Sequence, residues 1–497
     1  MNVKISNTLA IALSLSVAAL VFGFVFLNTA LFHYDAIVLA EAVEKTYSTL
    51  RLQPSTNYRY ADVVIVDIIY FPFWLRGSTA DFSVRLAGVI FYSASIGMLY
   101  LFLKKFTNNT LLSLVAAVLF AVSPIYLSPN TFGKIHSISI FFLLLSLWLL
   151  LLPERKNFVL AATAYSASIG SRESTLFFAP FALSLCAYSV WKSRQNIWQF
   201  LYFFIPLLSF FFLLSAWYFY PIISKTLNGT SVETAFFTYS SANMARALND
   251  LTRTSGTLIS LAALVGMISG VVTLRFPAMF LTAWLLSAFF YFSNYTTYEA
   301  RYLDVVLIPF FAFSGLTVSY LTNKNRIVGY ALFGLLLFAP VSYSTQLLLP
   351  RTAYNGIYEF GKLISEKTEP DAVIIVQNEA PVVGYYGKRK TLGPPTGNEA
   401  ESIRFWEDVN KNVTKGENIW LAFSAFFDDP GDINKQIVSQ IFDFSKTYST
   451  INEDYHHSDI RQLLYITYLW KLAPKQNMSE STSIPAPFVL KGFPSKK

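Results

Sequence analysis

Over the first 350 residues, apolar runs long enough to cross a membrane alternate with short polar loops, and after Pro350 the pattern changes. The first run covers about residues 8–32. It is longer than a secretory h-region and many more follow it, so it reads as a retained signal anchor. At roughly 20 residues per span, further helices fall near 83–103, 111–127, 137–152, 158–170, 174–191, 197–220, 256–275, 276–293, 302–321 and 326–347. The pattern predicts eleven spans. The short pair on either side of Ser171-Arg172-Glu173-Ser174 reads as two spans or as one broken helix.

Between the first two spans lies a long loop, 33–82. In 36–50 the apolar residues Ile37, Val38, Ala40, Val43, Tyr47 and Leu50 recur at helical spacing against Glu41, Glu44 and Lys45, which predicts a helix lying along the membrane surface. Residues 61–74 are apolar but interrupted by Asp62 and Asp67, too polar for a free span, so a second interfacial helix is expected. The loop 221–255 is rich in Thr, Ser and Asn and reads as a lid or an acceptor-binding loop. Beyond Pro350 helical and strand patterns alternate: helix near 353–367, strand 372–376, helix 399–411, strand 419–423, helix 432–445, strand 463–469. That order predicts a small α/β domain over 350–475. It holds no G-x-G-x-x-G, P-loop or metal-spacing motif. The tail 476–497, rich in Ser, Pro and Lys, reads as disordered. The expected fold is an α-helical polytopic membrane protein: a transmembrane domain over 1–349 and an α/β domain behind it.

Composition sharpens this. Hydrophobic residues make up 54% and charged residues 14%, against roughly 25% charged in soluble chains. The net charge of +8 does not indicate nucleic acid binding, because the basic residues are scattered in short loops. Lys104-Lys105, Arg155-Lys156, Lys192 with Arg194, Arg275, and Lys324 with Arg326 fall in alternate loops, as does Lys4, which makes those loops cytoplasmic. The loop after the first span and the C-terminal domain are then extracytoplasmic, and a plasma membrane is expected. N-x-S/T sequons agree in part: Asn228, Asn294, Asn412 and Asn477 fall outside, Asn108 inside. The one cysteine, Cys186, rules out an intrachain disulfide and a Cys-based metal site.

Candidate chemistry sits on the outer side. Asp35 is the first acidic residue of the chain and stands where the first span meets water. It reads as an active-site acid or as the N-cap of the helix after it. Arg59, Arg172 and Arg301 stand close to predicted helix boundaries. Ionisable groups at membrane depth are costly unless they face a partner or a cavity, and the planar fork of arginine suits a phosphate. Several arginines and an acid around one interfacial cavity would suit a phosphate headgroup on a lipid tail. The plainer readings are a snorkelling role for Arg301, an ion pair of Arg172 with Glu173, and a wetted helix face for Asp62 and Asp67. His33 beside Asp35 is weak evidence for a metal site, and His456-His457 weaker still.

The order of these features resembles the C-type glycosyltransferase superfamily, in particular the branch of the protein O-mannosyltransferases and the transferases that add aminoarabinose to lipid A. Tyr34-Asp35 is similar to that family's loop acid, and Ala40-Glu41-Ala42 to the small-acid-small step after it. Phe82-Ser83-Val84-Arg85-Leu86-Ala87, Ala121-Val122-Ser123-Pro124 and Glu299-Ala300-Arg301-Tyr302-Leu303 resemble the phrases at the second, third and a late span. The chain departs from the pattern at Tyr58-Arg59-Tyr60-Ala61, where many relatives carry Lys-Pro-Pro or His-Pro-Pro. It also lacks a paired Asp-Glu and the Trp-Trp-Asp signature of oligosaccharyltransferases.

The resemblance implies transfer of one sugar from a polyprenyl-phosphate donor, dolichyl or undecaprenyl, to an extracytoplasmic lipid, glycan or protein acceptor, with inversion. It implies Asp35 as general base, Arg59, Arg172 and Arg301 on the lipid phosphate, and Glu41 and Glu173 orienting the base or the acceptor. Some members use a divalent cation, Mg or Mn. A transporter or flippase of a lipid-linked anion and a non-catalytic scaffold remain open readings.

Overall fold

The computed structural model describes residues 6–31, 34–53, 60–194, 197–210, 239–294, 298–353, 355–377, 379–426, 430–453, 464–475 and 488–489. It divides into two compact units, one of Met1–Leu27 with Ala42–Thr352, the other of Asn28–Glu41 with Ala353–Lys497.

The first unit is helical. Its helices are α1 (Asn7–Val25), α2 (Tyr34–Thr49, whose first residues belong to the second unit), α3 (Tyr60–Trp74), α4 (Asp81–Thr107), α5 (Thr110–Val122), α6 (Pro124–Thr131), α7 (His136–Leu150), α8 (Arg155–Ser171) and α9 (Ala179–Lys192). They continue with α10 (Leu201–Phe210) and with α11 (Ser241–Ser255), α12 (Thr257–Thr273), α13 (Phe276–Ser293), α14 (Asp304–Lys324) and α15 (Arg326–Ala353). The two interfacial helices expected in the first loop are α2 and α3. Within the expected lid loop, residues 241–255 form α11, and 221–238 lie outside the described residues.

Six helices are long and apolar enough to cross a membrane, or up to eight if two bent pairs each count as one span. One pair is α5 and α6, bent by 51°, the other α11 and α12, bent by 105°. The chain is an integral membrane protein. The count falls below eleven among the described residues because α7 is apolar but only 15 residues long, α8 is 17 residues and rich in Ser, Thr and Asn, and the run expected over 197–220 is described only to Phe210.

Helix α14 is the hub of this unit. Gly315 faces the backbone of Leu112 in α5, and Gly266 of α12 faces the Phe313 carbonyl; a Cβ at either place would overlap those atoms. Small residues let membrane helices approach this closely, and hydroxyls then bind across the seam. Here Thr317 Oγ1 donates to the Ala262 carbonyl at 2.6 Å, and Trp284 Nε1 donates to the Val305 carbonyl at 3.1 Å. Helix α14 is thereby tied to α13 at its first turn and to α12 further along.

The second unit carries α16 (Gly356–Lys367), α17 (Ala380–Tyr385), α18 (Glu399–Thr414) and α19 (Ile433–Ile441) around a six-stranded sheet. The strands are β1 (Val373–Ile375), β2 (Lys390–Leu392), β3 (Ile419–Ala422), β4 (Phe442–Glu453), β5 (Leu464–Pro474) and β6 (Phe488–Val489). Their order is β2-β1-β3-β5-β4, with β6 pairing β5. The β1 pairs are parallel; those of β5 are antiparallel. Side chains alternate across the sheet. Ile419 and Leu421 pack with Trp406, Phe442 and Trp470 on one face, while Trp420 packs with Phe360, Ile374 and Leu469 on the other.

Two expectations need correction. The helix read over 432–445 stops at Ile441, and Phe442-Asp443-Phe444 opens strand β4, since its apolar residues alternate and pair with β5. In the tail read as disordered, Phe488–Val489 pairs with Tyr465 and Ile466. The segment Asn28–Glu41 joins this unit through local bonds: Leu31 N donates to Tyr386 Oη at 2.9 Å, and Asn355 Nδ2 to the Ala30 carbonyl at 3.2 Å.

Candidate active site

The helical unit buries a polar cluster at the start of α14. Asp304 is completely buried. Its oxygens accept Arg172 Nη1 at 3.0 and 2.8 Å, and its Oδ1 accepts the Val305 backbone N–H at 2.7 Å. His136 Nδ1, at the start of α7, lies 2.9 Å from Oδ2. The His136 ring lies nearly parallel to that of Tyr302, 8° between planes with centroids 6.5 Å apart. Arg172 and Arg301 lie over Tyr302 at 5.6 and 5.4 Å, and Arg172 also lies over Phe292 at 5.7 Å. Arg301 Nη2 binds Glu299 Oε1 at 2.5 Å.

Local backbone explains why Arg172 reaches this point. Helix α8 ends at Ser171, Arg172 is extended (φ −152°, ψ 108°), and a 3₁₀ turn, Glu173–Phe178, leads into α9. Of the two short runs expected here, Ser174–Lys192 is long and apolar enough to cross a membrane by itself, and the break before it turns Arg172 inward. Ser171 Oγ donates to Asp62 of α3. Arg172 is 6% exposed, and its Nη2 has no hydrogen-bond partner. One guanidinium nitrogen is fixed by a carboxylate; the other has no hydrogen-bond partner among the described residues. Buried donors are rarely left unmatched, so such a group calls for an explanation.

The predicted residues fall as follows. Arg172 and Arg301 come together around Tyr302. Asp35 stands half-buried in the first turn of α2 and Glu41 is exposed on the same helix, both in the second unit. Arg59 and His33 lie outside the described residues, and of Glu173 only the backbone is described. Sequence reading missed Asp304 and His136. The signal for Asp304 was present: an acid three residues after Arg301, inside an apolar run, requires a partner. Among the described residues no three His, Cys, Asp or Glu side chains group as a metal ion would need.

The chain shares its fold with several solved structures. It is similar to the ArnT structure from Cupriavidus metallidurans bound to undecaprenyl phosphate, with TM-score 0.59 and 10% identity over 94% of this chain and 99% of that one. It is similar as well to the archaeal oligosaccharyltransferase AglB from Archaeoglobus fulgidus in complex with an inhibitory peptide and a dolichol-phosphate, with TM-score 0.53, 13% identity, 94% of this chain and 74% of that one. A third likeness is to the arabinofuranosyltransferase AftD from Mycobacteria, with TM-score 0.55 and 12% identity, covering 94% of this chain and 40% of that one. By sequence, no family model and no curated protein matches the chain.

Proposed function

We propose that this protein is a glycosyltransferase moving one sugar from a polyprenyl-phosphate donor to an acceptor on the extracytoplasmic side of a plasma membrane. The observation that carries this reading is the buried Arg172, held through Nη1 by Asp304 with Nη2 unmatched. A charge-assisted donor fixed in a dry site suits a lipid phosphate, whose negative charge grows as the sugar leaves. ArnT was solved with undecaprenyl phosphate and AglB with a dolichol-phosphate, which supports the same class of lipid here.

In the proposed reaction the acceptor hydroxyl attacks the anomeric carbon in line and the C–O bond to phosphate breaks with inversion. Arg172 and Arg301 stabilise the departing phosphate, joined by Arg59. Asp35 takes the acceptor proton, with Glu41 and Glu173 orienting base or acceptor. The eleven-span topology requires α7, α8 and the run containing α10 to cross as well; it puts Asp35 and the α/β unit outside.

Purified protein given radiolabelled polyprenyl-phosphate monosaccharides and native membrane extract tests this. Transfer is expected from at least one donor, and Asp35→Asn is expected to lower it by about 10² to 10⁴ while donor binding persists. Unchanged transfer in the variant removes Asp35 as base. No transfer from any donor favours the transporter or scaffold readings.

A further inference from the structure

A second polar feature lies apart from the Asp304 cluster, in a cleft between α2 and α3. The cleft has a volume of about 390 Å³ and is lined by Tyr47, Leu52, Val64, Asp67, Ile68 and Phe71. Its one charged wall is Asp67, which is only 9% exposed, and Asp67 Oδ1 has no hydrogen-bond partner. Tyr47 Oη donates to the Asp67 backbone carbonyl at 2.7 Å, tying the two helices together and leaving the carboxyl untouched. The rings of Tyr47 and Phe71 both pack on Trp74, with centroids 5.1 and 6.3 Å away.

The charged groups nearby are engaged elsewhere. Glu44 of α2 accepts the Ala80 backbone N–H, Asp62 of α3 accepts Ser171 from the end of α8, and Arg85 of α4 pairs with Asp81. The remaining titratable neighbours are the phenols of Tyr47 and Tyr70. Burial pushes the Asp67 carboxyl up to about 7, so this acid ionises near neutral pH with no cation paired to it among the described residues. An apolar stripe, Val64, Ile68, Phe71 and Leu75, is exposed along the same side of α3, Ile68 to 69%.

We propose that this cleft binds the primary ammonium headgroup of a membrane amphiphile, with Asp67 as its counter-ion, Tyr47 and Phe71 as aromatic walls and the exposed stripe of α3 against its apolar body. A primary ammonium donates a charge-assisted hydrogen bond to Oδ1 and offsets the desolvation of the carboxylate. Aromatic faces attract the same cation. A hydroxyl would leave the charge uncompensated, and a quaternary ammonium has no N–H to donate. The stripe favours a lipid over a water-soluble amine, since it extends the apolar contact beyond the cleft. The site is separate from the proposed transfer reaction, so its test reads binding alone.

The experiment is equilibrium binding of radiolabelled octylamine to the full chain in phosphatidylcholine nanodiscs, corrected with empty nanodiscs. One saturable site is expected. Asp67→Asn should weaken it at least about 10-fold, and Val64→Trp, which fills the cleft and keeps the acid, should block it. Affinity should fall as pH drops from about 8 to about 6, because the alkylammonium stays charged while Asp67 takes up a proton; Asp67→Asn should remove this dependence. Nanodiscs containing phosphatidylethanolamine should compete, whereas octanol should not. Unsaturable binding, equal binding by Asp67→Asn, or competition by octanol would overturn the proposal. Competition by octylamine but not by phosphatidylethanolamine would overturn the membrane source.

Discussion

Arg172, Asp304 and His136 show how one buried acid holds a site together. Removing one partner of a buried ion pair leaves an uncompensated charge, at a cost of about 3–5 kcal/mol, whereas replacing both partners with apolar side chains is far milder. Asp304→Ala is therefore expected to destabilise the protein by that amount in detergent unfolding. The double variant Arg172→Met with Asp304→Leu is expected to recover much of the loss. A double variant as unstable as the sum of the singles would contradict the pairing. Arg172 could be singled out from sequence because it interrupts two apolar runs. The pairing could not, because Asp304 lies 132 residues from Arg172 and 168 from His136. No local pattern encodes a contact of that separation.

At the scale of elements, sequence patterns were most legible where one face of a helix is apolar and the other charged. Helices α2 and α3 fall within a few residues of the predicted 36–50 and 61–74, but Asp62 and Asp67, read as a wetted face of α3, are buried. Reading failed where short elements meet. The helix of α19 runs straight into β4, and the three-residue β2 is too short to carry an alternation of its own. Helix α14 depends on close approach, so Gly315→Leu is expected to cost about 1–3 kcal/mol or more by overpacking against Leu112; a melting temperature equal to the parent's would argue against the packing described. In the sheet, burial pushes the Glu369 carboxyl up, but hydrogen bonds from Lys471 Nζ at 2.5 Å and Trp420 Nε1 at 2.8 Å outweigh it and hold the acid down at about 2. A depressed carboxyl contributes stability above its ordinary pKa, near 4.5, and loses it as pH falls towards about 2. Hydrogen exchange of β3 and β5 should quicken over that window in the parent and show little such change in Glu369→Gln.

For the whole molecule, the span count shows what hydropathy can and cannot fix. Apolar runs located most of the helices, but bent pairs and short helices separate the number of runs from the number of clear spans, six to eight. The fold is shared with proteins of only 10 to 13% identity, so it persists where little of the sequence does. In the proposed reaction the unmatched nitrogen of Arg172 grips a polyprenyl phosphate. The most direct test is equilibrium binding of undecaprenyl phosphate and dolichyl phosphate to the parent and to Arg172→Lys. Lysine keeps the charge opposite Asp304 but lacks the second nitrogen of the fork. The account predicts a folded variant whose affinity for at least one of these lipids is about 10-fold weaker or more. Binding equal to the parent's for both lipids would contradict it.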